Sequence, residues 1–185
     1  MNAFSESDRM DAEAAASGTD HLSLRLWLRL LTCTTMIERN MRERMRMRFD
    51  ITLPRYELMA QLAHAPKGLR MSDLSRRLMV TGGNVTGLTD QLVAERLVVR
   101  GAMLDDRRVY TVRLTARGRR QFRLMKAEHD RWITDLLAAV PVEEREALHQ
   151  LLGELKAGVA NALDAVVPPV AAVGGLVGRP EAEAR

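Results

Sequence analysis

Cysteine is almost missing from this 185-residue chain: Cys33 stands alone, so no internal disulfide can form, and a reducing, cytoplasmic setting is the expectation. Aromatic rings are scarce too, at 4% of residues against 46% apolar in all. A core must then be built from Leu, Val, Met and Ala, a composition of helices. No apolar run reaches the roughly 20 residues of a membrane helix. The first residues lack the basic start and apolar stretch of a secretion signal. His21, His64, His129 and His149 lie far apart, with no Cys or acid at ligand spacing, which argues against a metal site. No Ser-His-Asp spacing, phosphate loop or nucleotide fingerprint is present, and Gly82-Gly83 lacks the Lys and strand context of such loops. An enzyme is therefore not expected, nor a cofactor.

What is present is unevenly spread charge. The net +4 hides a central block, residues 54–120, with thirteen bases against six acids. Residues 1–20 and 121–185 are net acidic. A localised basic block suits a polyanionic partner.

Apolar periodicity organises the chain. Residues 1–20, rich in Ala, Ser, Asp and Glu without apolar period, read as a flexible arm. Trp27, Leu30, Thr34, Ile37, Met41 and Met45 form one stripe of a helix from His21 to about Phe49. At roughly 40 Å it is longer than one small domain can bury, so a partner subunit is a natural use for the surplus. Pro54 starts a short helix with Tyr56, Leu58, Met59 and Leu62, and Ala65–Gly68 turns. Leu69–Met71 reads as a brief strand, and Ser72 as the N-cap of a helix through Leu78 and Met79. A turn at Val80-Thr81-Gly82 leads to a helix with Val85, Leu88 and Leu92 on one face. Strands at Leu97–Arg100 and Val109–Leu114 make a hairpin with a charged tip. Thr115 caps a helix to about Ala139, with Phe122, Met125, His129 and Ile133 inward, and a last helix runs from Val142 to about Leu163. Residues 165–185, with Pro and Gly-Gly, read as a disordered tail.

Two short helices, a tight turn and a hairpin make a winged helix-turn-helix. The fold class is thus mainly α, with a two-stranded β wing and long helices at either end. The second helix presents Thr81, Gly82, Gly83, Asn84, Thr86 and Gly87 outward at its start, a small polar tip suited to a major groove of double-stranded DNA. Asn can bridge adenine edges, Thr can touch a thymine methyl, and glycines let the backbone approach phosphates. Asn84 and Thr86 are the expected base readers; Arg76, Arg77 and the backbone at 81–83 are the expected phosphate contacts. At the wing, Arg107 and Arg108 follow Asp105 and Asp106, and an arginine there can enter a minor groove.

In this order the segments Leu74–Leu78, Val85–Leu92, Leu97-Val98, Asp106–Arg108 and Val112–Gly118 resemble the MarR family of transcriptional regulators. The resemblance covers residues 21 to about 163. It implies a homodimer, with residues 21–50 and 116–164 as dimerisation region, 51–115 as DNA-binding lobe, and two wings straddling a palindromic operator. It also implies repression relieved by a small anionic or aromatic ligand. Arg25, Trp27 and Arg29 could supply anion donors and a stacking ring, and segments 24–33 and 53–55 resemble members answering to aromatic acids or their acyl-CoA thioesters. Two positions depart from the family: Arg96 stands where Gly usually ends the recognition helix, and Gln91 where Arg is frequent. Some relatives sense oxidants through a cysteine near the start of this helix, so an oxidant-sensing regulator acting through Cys33 is one alternative to the ligand-gated reading, and a helical protein-interaction module is the other.

Overall fold

The computed structural model describes residues 21–102 and 110–166. The expected arm, the wing tip with Arg107 and Arg108, and the tail past residue 166 lie outside the described residues. The chain divides into two units, one ending at Leu137 and the other beginning at Ala138.

In the first unit the order is α1 (Leu22–Phe49), α2 (Leu53–Ala63), α3 (Met71–Leu78), α4 (Gly82–Ala94), β1 (Val98–Ala102), β2 (Tyr110–Leu114) and α5 (Ala116–Leu136). Helix α1 buries only the lower part of its stripe: Met41 and Met45 are in the core, whereas Trp27 is 57% exposed. Helix α2 opens with Pro54 in its first turn, where no N–H is needed, and buries Tyr56, Leu58, Met59 and Leu62 as its periodicity predicts. It lies at the centre of the unit, packed on α1, α3, α4, α5 and β2. On α5 the inward face is Phe122, Met125 and Trp132, with Ile133 packed at its edge. Tyr56 stacks on Phe122 at 5.6 Å and on His129 at 4.9 Å. Trp132 lies 6.2 Å from Phe49 and beneath the Arg44 guanidinium. The expected stripe passed over Trp132, a shoulder position that a large ring turns inward against the end of α1.

Strands β1 and β2 are antiparallel, with Val98 opposite Leu114 and Ala102 opposite Tyr110. Leu69 forms a single antiparallel bridge with Val112, so the expected strand is reduced to one bridged residue, and Met71 already belongs to α3. Ser72 is accordingly inside the first turn of α3; Arg70 occupies the N-cap and contributes no side-chain cap. Gly68 ends the turn from α2 to Leu69 at φ +93°, where a Cβ would sit 2.8 Å from Thr111 Oγ1.

Helices α1, α3 and α4 all end on non-glycine residues in the left-handed region: Asp50 at φ 51°, Met79 at 54° and Arg96 at 59°. At α4 the Arg96 N–H donates to the Val93 carbonyl (2.9 Å) and the Leu97 N–H to that of Leu92 (2.9 Å), a Schellman cap. Arg96 therefore takes the conformation that the family's glycine would supply. The chain then restarts in α5, where Thr115 Oγ1 accepts from the Gly118 N–H at 2.9 Å. Gly118 is fixed by contact: a Cβ there would lie 1.9 Å from the Leu97 carbonyl oxygen.

The second unit is α6 (Val142–Val166), preceded by Pro141 and with Glu143 and Glu144 in its first turn, where the helix dipole favours acids. It extends past Leu163 and two residues into the segment expected to be tail. Among the described residues, no helix is long and apolar enough to cross a membrane.

Candidate nucleic-acid interface

The turn between α3 and α4 is closed by Met79 in the left-handed region, the Val80 N–H donating to the Ser75 carbonyl (3.2 Å), and Ser75 Oγ donating to the Val80 carbonyl (2.6 Å). Thr81 follows as the extended N-cap of α4, with no side-chain capping bond, so the first-turn N–H groups keep their partial positive charge facing outward. Helix α4 docks through Val85, Thr89 and Leu92, all buried, while Leu88 is half-buried. The inward face is thus centred one residue from the expected Leu88, and the Thr89 hydroxyl points at Met71 Sδ, 3.9 Å away on α3.

That docking leaves Thr81, Gly82, Gly83, Asn84, Thr86 and Gly87 exposed together at one end. The Thr86 hydroxyl donates to the Gly82 carbonyl at 3.0 Å, which commits its proton and frees its methyl and lone pairs for a partner. A Cβ built on Gly82, Gly83 or Gly87 would meet nothing within 4 Å. Packing inside the chain therefore does not require these glycines. A glycine inside a helix costs about 0.5–1 kcal/mol relative to alanine. Gly87, in the interior of α4, therefore leaves the helix less stable than alanine would, and space beside the tip is left for another molecule.

Arg76 and Arg77 lie on the exposed last turn of α3. Arg76 reaches Asp73 at 3.5 Å, a solvent-screened pair that a stronger anion can displace, and Arg77 has no ion pair among the described residues. A contact that the sequence did not signal joins Asp90 on α4 to Arg100 on β1 at 2.6 Å. It neutralises the acid on the outward face and ties the hairpin to α4. It forms because the chain turns back between α4 and β1, which neither helical nor strand periodicity signals. Tyr110, 75% exposed at the first position of β2 opposite Ala102, is a second residue not singled out from the sequence.

The candidate effector residues are less gathered. Arg25 is half-buried, while Trp27 and Arg29 are exposed along the first turns of α1. A groove of about 590 Å³ opens farther along α1, between Arg39, Arg42 and Arg46 on one side and Thr52, Leu53 and Pro54 on the other. In it Arg42 pairs with Glu38 at 2.8 Å and Arg39 with Glu43 at 3.4 Å. Cys33 is exposed. Among the described residues, no three His, Cys, Asp or Glu side chains gather as a metal set. Apolar side chains without cover include Leu22, Leu24, Leu26 and Trp27 on α1, and Leu148, Leu151, Val159 and Leu163 on α6.

The sequence model of the MarR family matches residues 49–108, which span α2 to the hairpin. The chain is 32% identical over 111 residues to the HTH-type transcriptional regulator YdgJ of Bacillus subtilis, covering 60% of this chain and 67% of that protein. The crystal structure of a MarR family transcriptional regulator from Silicibacter pomeroyi superposes with a TM-score of 0.64 at 31% identity, over 76% of this chain and 98% of that one. The S. aureus MepR–DNA complex has the same fold, with a TM-score of 0.61 at 22% identity over 70% of this chain and 94% of the other.

Proposed function

The chain belongs to the MarR family of transcriptional regulators, and from that premise we propose that it works as a homodimer on a roughly palindromic DNA operator, with α4 of each protomer in a major groove. The observation that carries this reading is the tip of α4: three glycines with open space around them, beside Asn84 and Thr86, on a helix whose opposite face is buried. A surface helix with no partner gains nothing from such a tip. A helix that must bring its backbone close to phosphates and its short side chains to base edges needs it.

In this reading Asn84 and Thr86 read bases. Arg76, Arg77 and the free N–H groups at 81–83 hold phosphates, with Gly87 allowing close approach. Arg107 and Arg108 are the wing residues of this reading and enter a minor groove. Residues 51–115 are the DNA-binding lobe; residues 21–50 and 116–164 dimerise. The uncovered apolar side chains on the start of α1 and along α6 support that assignment, since surface of this kind is normally covered by another protein surface. Two protomers related by a two-fold axis set two α4 tips about one helical turn of DNA apart, roughly 10 bp.

The regulator acts as a repressor gated by an aromatic acid or its acyl-CoA thioester. Arg25 and Arg29 around Trp27 favour an anionic, ring-bearing ligand, and binding shifts the population towards a tip separation that no longer fits both half-sites. Binding of a duplex selected by the protein from a random-sequence pool, titrated over salt, tests the DNA reading: log affinity should fall linearly with log salt, with a slope of several phosphates. A salt-independent affinity would favour a protein-binding winged helix instead. Calorimetry with aromatic acids and with their CoA thioesters tests the effector, and absence of heat from both classes would refute it.

A further inference from the structure

Arg55 is the one charged side chain of α2 sunk in the core, 8% exposed between the buried Leu53 and Tyr56. Its guanidinium Nη2 donates to Glu95 Oε2, forty residues on, and its Nε has no hydrogen-bond partner among the described residues. Glu95 is the C-cap residue of α4, immediately before the left-handed Arg96. The pair therefore ties the central helix of the lobe to the end of α4 remote from the exposed tip.

Burying a cation is costly, and its partner Glu95 is 47% exposed, so the pair lies at the edge of the core and is a weak source of net stability. What such a pair supplies is direction. Val85 and Leu92 hold α4 through apolar contacts, which allow a helix to rock. A planar guanidinium facing a carboxylate allows only a narrow range of positions. The second tether, Asp90 to Arg100, is solvent-exposed and runs to β1 rather than α2, so it adds only weakly to the hold of Arg55 and Glu95 on the rotation and tilt of α4. From Glu95 to Gly82 the helix spans about 20 Å. A tilt of about 5° at the Glu95 end would move the tip by nearly 2 Å, beyond the roughly 0.5 Å within which a site must be held.

We infer that Arg55 and Glu95 are positioning residues for DNA recognition, setting the attitude of α4 so that both tips of a dimer meet base edges together. The inference rests on the DNA-binding reading above. It separates two properties that a merely structural pair would lose together, namely folding stability and discrimination between sequences.

The test is the double variant Arg55→Met/Glu95→Gln in the full chain, alongside Glu95→Gln alone. Replacing the pair by an apolar residue and a neutral one should leave the melting temperature at or above that of the unaltered protein. Affinity for a duplex selected from a random pool by the unaltered protein should nevertheless fall at least about tenfold relative to a scrambled duplex. Affinity for the scrambled duplex and the salt slope should not change, because no phosphate contact is removed. Glu95→Gln should show the same loss of discrimination with a lowered melting temperature, since it leaves the buried guanidinium uncompensated. A folded double variant that discriminates as well as the unaltered protein overturns the positioning role. An unaltered protein with no salt-dependent DNA binding overturns the DNA reading itself, and this role with it.

Discussion

Replacing Gly87 by alanine should make the protein more stable and a poorer DNA binder. Gly87 lies in the interior of α4, exposed, and a Cβ added there meets nothing within 4 Å. The substitution therefore creates no clash inside the chain. It removes the conformational freedom of glycine from the unfolded state and improves helix propensity, a gain of about 0.5–1 kcal/mol per protomer. For a chain of this size, 1 kcal/mol corresponds to a rise of roughly 2–4 °C in melting temperature. Binding should move the other way. If the backbone of α4 approaches DNA to van der Waals contact, a methyl group holds the helix off. A loss of about 1.4 kcal/mol at each of two half-sites would multiply to roughly a hundredfold weaker affinity. Scanning calorimetry and fluorescence anisotropy on a selected duplex read the two quantities from one preparation. Gly118→Ala is the internal control, since its Cβ would fall 1.9 Å from the Leu97 carbonyl oxygen. Forcing that backbone apart should cost about 1–3 kcal/mol. A destabilised Gly87→Ala protein, or a stabilised one with undiminished affinity, would refute the argument that the open tip exists for a partner.

Arg96→Gly should stabilise the fold by about 1 kcal/mol, read in chemical denaturation, because Arg96 holds φ 59° at a Schellman cap. Arg77→Ala should lower the salt slope of DNA binding by about one phosphate and weaken all sequences alike, whereas Asn84→Ala should relax preference at one base position. Tyr56 holds its proton up to about 12, chiefly through burial and secondarily through the nearby Asp130 and Glu57 carboxylates. Its neutral form is therefore favoured by folding, and the stability it contributes is intact below pH 10 and is lost as pH rises from 10 to 12. Tyr56→Phe should flatten that alkaline decline in melting temperature. Leu151→Glu, on the uncovered face of α6, should shift sedimentation towards the monomer without unfolding the chain.

Where the chain's own periodicity decides burial, the sequence was a sufficient guide. The inward set of α2, the Thr115 cap and the exposed tip at 81–87 all follow from local pattern. Where a neighbouring element decides, it was not. Thr89 rather than Leu88 faces inward because α3 presents Met71 to it, and Trp132 is drawn in by Phe49. Ser72 looks like a cap by residue type, but Met71 had already begun the helix. Arg55 and Glu95 are forty residues apart, and Arg100 meets Asp90 only because the chain reverses direction after α4, so neither pair follows from helical or strand periodicity. Trp27 shares a stripe with Met41 and Met45, yet only the latter two find cover in the chain, since the stripe outruns the lobe that α1 packs on.

The central claim is that α4 enters the major groove twice, once from each protomer. Dimethyl sulfate footprinting of the complex with a selected duplex probes guanine N7 in the major groove directly. Protection is expected in two patches about 10 bp apart, lost at both when Asn84, Thr86 and Gly87 are replaced together. A complex in which guanine N7 stays fully reactive throughout, or is protected in one patch only, would contradict it.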